Sequence, residues 1–95
     1  MFMVPIHPGR ILKCELKARS LFANQLALAL RVPSGRITAI FNKESGVTAD
    51  TALRLGRYFS TSAQFWMTLQ SQYDLAIAEQ KKIGAMIAQE VHKPG

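Results

Sequence analysis

Arginine and lysine carry most of the chemistry open to this chain. Its 95 residues hold twelve Lys and Arg against six Asp and Glu, a net charge of +6 with a pI near 10.0. Residues 1–61 carry that whole excess, with Arg10, Lys13, Lys17, Arg19, Arg31, Arg36, Lys43, Arg54 and Arg57 against Glu15, Glu44 and Asp50. Beyond them Lys81, Lys82 and Lys93 balance Asp74, Glu79 and Glu90. A basic field of this kind favours an acidic partner, nucleic acid above all.

The other reactive side chains do not assemble into a catalytic or metal-binding pattern. Asp50 and Asp74 are far apart in sequence and read as a helix cap and a surface or pairing charge, not as an acid–base pair. His7 precedes a helix, where a local backbone bond suits it better than catalysis, and His92 lies in a tail. Neither has a second His, Asp or Glu at metal-ligand spacing. Cys14 is the one cysteine, which excludes an internal disulfide and a cysteine-rich zinc site. Its apolar neighbours make it a packed thiol. Pro8-Gly9-Arg10 lacks the rest of a phosphate loop. Nothing here argues for an enzyme, a cofactor or a metal.

A chain this short builds one core. Its hydrophobic fraction of 48% and mean hydropathy of +0.06 are enough for a folded protein. No apolar run reaches the roughly 20 residues of a membrane span, and the opening Met-Phe-Met-Val-Pro-Ile is too short for a signal peptide. The expectation is a soluble protein of the cytoplasm with no membrane partner.

Helical periods recur between short breaks, and alternating strand patterns are nearly absent. Pro8 suits the first turn of a helix carrying Ile11, Leu12, Leu16 and Ala18. Leu26, Ala27 and Leu30 mark a short second helix that ends at Arg31-Val32-Pro33. Ile37, Ile40 and Phe41 form the apolar stripe of a third. Thr48 or Asp50 caps a fourth, packed through Ala52, Leu55, Tyr58 and Phe59. Ser60-Thr61-Ser62 opens a fifth with Phe65, Trp66, Leu69, Tyr73, Ala76 and Ile77. The stripe resumes at Ile83, Met86, Ile87 and Val91. An unbroken helix over 63–91 is about 43 Å long, more than one small core covers. Either Gly84 breaks it and the end folds back, or the stripe packs on another chain; a homodimer is the favoured solution. The organisation expected is an arm over 1–6, a core over 7–61, a helical segment for dimerisation over 62–91 and a tail over 92–95.

A short helix, a tight turn and a proline-opened helix across residues 22–43 make a helix-turn-helix, whose second helix must enter a groove about 12 Å wide. Around it stand His7-Pro8-Gly9-x-Ile11-Leu12, Arg36-Ile37-x-x-Ile40-x-Asn42 and Val47-Thr48-Ala49-Asp50-Thr51-Ala52-Leu53-Arg54-Leu55. Tyr58-Phe59-x-Thr61-Ser62-x-x-Phe65-Trp66-x-x-Leu69-Gln70-x-x-Tyr73-Asp74-Leu75 follows. Together these motifs, over roughly residues 7–78, resemble the HigA/VapI family of small antidote proteins in the Xre/Cro-like (lambda repressor-like) helix-turn-helix class. The resemblance implies an all-α fold of five helices with an extended C-terminal helix. It also implies a homodimer that represses its own promoter at an inverted repeat of double-stranded DNA, and an antitoxin that neutralises a HigB-type ribonuclease toxin.

In such a fold Ser34, Gly35, Thr38 and Ala39 face the groove, with Arg36 at the flank. Only Arg36 has a bidentate fork, for a guanine edge or a phosphate. Contacts from Arg31, Arg36, Asn42 and Lys43 to phosphate are therefore expected to dominate affinity. Arg54 and Arg57 read as partners of nearby acids or as cover for apolar surface. Phe65, Trp66, Leu69, Tyr73 and Ile77 are core or dimer seam. The first helix with Phe2, Val4 and Ile6 is the candidate toxin face. The departures from the family pattern are also specific. Phe22-Ala23 replaces a capping Ser or Thr and a Gln, Arg31 stands for the turn glycine, and Asn42-Lys43-Glu44 replaces Asn-Gly-Lys. They motivate a rival reading, a protein-interaction module with weak and mostly non-specific DNA binding.

Overall fold

His7 starts the first helix by accepting the Gly9 N–H on Nδ1 at 2.9 Å, and Pro8 supplies its first residue without a stranded donor. A computed structural model describes residues 5–94, so Phe2 and Val4 of the expected arm lie outside the described residues. It contains α1 (Pro8–Ala18), α2 (Ala23–Leu30), α3 (Ser34–Phe41), α4 (Ala49–Phe59), α5 (Ala63–Gln80) and α6 (Lys82–Glu90). No strand occurs among the described residues.

The core is built from the faces that the helical period selects. Leu12 and Leu16 of α1, Leu26, Ala27 and Leu30 of α2, Ile37 and Ile40 of α3, Ala52, Leu55 and Phe59 of α4 and Trp66 of α5 are all buried. Trp66 is satisfied at its polar edge, its indole N–H donating to Thr61 Oγ1 at 3.1 Å. Two close approaches set the helix positions. A Cβ on Gly9 would be driven into the Ile40 carbonyl, so this glycine lets α1 lie against α3. Gly56 likewise lets α4 meet the start of α5, where a Cβ would lie 3.0 Å from the Ala63 nitrogen.

Four expectations are corrected. Six helices replace five, because the C-terminal helix is not continuous: Lys81 is extended (φ −91°, ψ 168°) between α5 and α6. Gly84 is not the breaker. It sits inside α6 where a Cβ would lie 2.9 Å from the Glu79 carbonyl and 3.0 Å from that of Ala78, so it permits the close approach of the first turn of α6 to the last turn of α5 at the bend. Cys14 is exposed, since it falls two residues from both Leu12 and Leu16 and therefore on the opposite side of α1. Tyr58 also stays partly exposed, its ring edge-on to that of Phe59 at 5.0 Å.

Candidate nucleic-acid interface

Burial of Ile37 and Ile40 fixes how α3 is rotated. With that face inward, Ser34, Gly35, Arg36 and Thr38 are exposed and Ala39 is partly so. The surface they make is low. Gly35 has open space around the position of a Cβ, so no contact within the protomer requires a glycine there. Thr38 gives its hydroxyl proton to the Ser34 carbonyl at 3.2 Å, which leaves its oxygen outward as an acceptor. A flat, acceptor-bearing helix face flanked by arginine can lie close to base edges in a major groove.

Both turns that bound α3's surroundings use non-glycine residues in the left-handed region. Arg31 (φ 58°) ends α2, and its N–H and that of Val32 close the helix onto Leu28 and Ala27 carbonyls. Lys43 (φ 60°) follows α3, with Asn42 as its cap. At both positions a Cβ-bearing residue takes left-handed backbone, which carries strain. In return each left-handed residue carries a cation at an exposed corner of the helix-turn-helix. The missing cap before α2 is also real: Phe22 offers no acceptor, and only the reverse bond is made, its N–H donating to Gln25 Oε1 at 2.8 Å.

Arg36 is not free. Its Nη1 donates to Asp50 Oδ2 at 2.8 Å, and the same oxygen accepts from Arg54 Nε at 3.0 Å. Arg54 in turn donates from Nη1 to the Leu30 carbonyl at 2.8 Å, satisfying an orphan carbonyl at the end of α2. One chain of charged hydrogen bonds thus runs from α2 through α4 to α3. The Arg54 bond, then that from Arg36, holds the Asp50 carboxyl below the ordinary carboxylate range, so it stays ionised. The Asp50–Arg54 pair is legible as an i, i+4 spacing; the bonds to Arg36 and Leu30 cross 14 and 24 residues and are not.

Beyond α3, Gln70 of α5 takes the Val47 N–H on Oε1 at 2.7 Å and donates to Asp74 at 2.9 Å. Gly46 makes room for it, since a Cβ there would lie 2.7 Å from the Gln70 amide. This fixes the loop that follows α3. His7 lies under the same loop, edge-on to Tyr73 at 4.8 Å. Burial, then the charge of Lys43, lowers the pKa of His7, against opposing effects of the Ser45 backbone and Asp74.

No family model matches the chain. Virulence-associated protein I of Dichelobacter nodosus is 53% identical over 81 residues, spanning 84% of this chain and 75% of the relative. The chain belongs to the HigA/VapI antitoxin family. Among solved structures, an addiction-module antidote protein of the HigA family from Coxiella burnetii superimposes with a TM-score of 0.91 at 47% identity, covering 97% of this chain and 100% of that one. The Pseudomonas aeruginosa antitoxin HigA, solved with the higBA promoter, gives a TM-score of 0.89 at 47% identity over 94% of this chain and 97% of its own.

Within this HigA/VapI fold the five residues expected at a seam separate. Trp66 is 1% exposed and belongs to the core of its own protomer. Leu69, Tyr73 and Ile77 are partly buried, Tyr73 against His7, and Phe65 is exposed. Further apolar side chains are exposed on α6, at Ile83, Met86 and Ile87, and at Val91 just after it.

Proposed function

We propose that the chain is a DNA-binding autorepressor and the antitoxin of a HigB/HigA-like toxin–antitoxin pair, acting in the cytoplasm without enzymatic activity. The exposed face of α3, backed by buried Ile37 and Ile40 and flanked by Arg31, Arg36 and Lys43, is the observation that carries this reading. Each protomer lays α3 into a major groove, with Ser34, Gly35, Thr38 and Ala39 toward the bases. Arg31, Asn42 and Lys43 contact phosphates, which position the protein without reading sequence. Two protomers, paired through the segment 62–91 by Phe65, Leu69, Tyr73 and Ile77 together with the α6 stripe, set their recognition helices about 34 Å apart on an inverted repeat. Repression follows from steric exclusion of polymerase. The toxin partner rests on membership of the family, and the face formed by α1 and Ile6 is the surface offered to it.

One observation favours a second reading, a toxin-binding module with weak DNA affinity: Asp50 already occupies Arg36, and Glu44 adds a negative charge at the end of α3. The double variant Arg36→Ala, Lys43→Ala separates the two. The repressor reading predicts loss of binding to the chain's own upstream DNA with toxin neutralisation intact. Unchanged DNA affinity rejects the site assignment.

A further inference from the structure

The bond network behind α3 bears on how the helix discriminates sequence, an inference that rests on the DNA-binding reading above. Arg36 has five N–H donors, and its Nη1 is spent on Asp50 Oδ2. Asp50 is itself fixed, because Arg54 holds the same oxygen and is anchored at its other end on the Leu30 carbonyl. Arg36 is therefore tethered toward Asp50 through Nη1, while its side chain stays 40% accessible and that of Asp50 56%. The carboxylate also cancels one positive charge at the interface. An arginine so held is a poor mobile ligand for phosphate but a pre-set fork for a base edge.

We infer that Asp50 is a positioning residue for sequence discrimination: it converts Arg36 from a phosphate contact into a base-reading one and restrains attraction to arbitrary DNA. Arg54 is the brace that makes this possible. Freed from Asp50, Arg36 would swing to the nearest phosphate, adding affinity that carries no sequence information.

Fluorescence anisotropy with two labelled duplexes, the DNA immediately upstream of the chain's own gene and a scramble of the same composition, tests this across a salt series. Asp50→Asn is expected to tighten binding to the scramble by roughly three- to tenfold at low salt and to steepen its salt slope by about 0.9 for one added phosphate contact. Preference for the upstream duplex should fall about tenfold or more, the discrimination of one lost bidentate contact. In an Arg36→Ala background the same change should leave the preference unaltered. A merely structural role for Asp50 would lower it in both backgrounds, and that result overturns the proposal. So does an unchanged preference in Asp50→Asn with wild-type binding intact, which leaves the DNA-binding reading standing. A wild type that prefers neither duplex removes both together.

Discussion

On the proposed reading, Arg31 sets function against stability within one side chain. Its φ of 58° places a Cβ-bearing residue where glycine is favoured. Arg31→Gly should stabilise the fold by about 1 kcal/mol, raising Tm by about 4–8 °C for a domain this size. The same variant should weaken DNA binding and flatten its salt slope by about 0.9, one phosphate contact's worth. Calorimetry and a salt titration on one preparation check both signs. His7 makes a second residue-scale prediction. Its folded pKa lies below its ordinary 6.5, so the native state prefers the neutral ring. Its contribution is complete above pH 6.5 and is lost as pH falls through that value toward the lower folded pKa. Burial and then the charge of Lys43 disfavour the imidazolium, which would also have no lone pair for the Gly9 N–H. Tm should therefore drop between pH 7.5 and 5.5 in the wild type. His7→Asn retains a capping acceptor without titrating, and its Tm should change less; an equal drop would refute the assignment.

At the scale of elements, what the sequence makes legible is local. Pro8, Thr48 and Ser62 start helices as expected, Thr48 and Ser62 by accepting the Thr51 and Phe65 N–H groups. Ile37 and Ile40 point inward because period 3.6 leaves them no other face. The break at Lys81 was not legible, since nothing in Glu79-Gln80-Lys81-Lys82 demands extended backbone. It goes with a close approach between two helix ends, Gly84 against the end of α5, that no period announces. The hidden part of the site has the same origin: Asp50 and Gln70 act across distances in sequence that no period encodes. The lost cap of α2, in contrast, is both legible and testable. Phe22 is 74% exposed and caps nothing, so Phe22→Ser should add about 1 kcal/mol in chemical denaturation at little cost in burial. No gain would mean that the Gln25 bond already meets the need of the helix start.

Across the whole molecule, charge is unevenly distributed along the chain. The positive charge lies in residues 1–61 with the helix-turn-helix, where Phe22, Leu28 and Leu53 are also exposed, and the charge-balanced segment beyond them exposes Leu75, Ile83, Met86, Ile87 and Val91. An apolar stripe next to a neutral segment suits self-association and a basic surface opposes it, which on the proposed reading matches the C-terminal segment to a second copy and the basic part to DNA. The 53 Å long axis leaves room for both. The central claim is that these surfaces act together as a sequence-specific dimeric repressor. Its most direct test is a titration of the chain into the duplex upstream of its own gene and into a scrambled duplex, at near-physiological salt, with the stoichiometry read at saturation. The account predicts a strong preference for the upstream duplex at two chains per inverted repeat. Equal affinity for both, falling steeply with salt, would reduce binding to counterion release and contradict it.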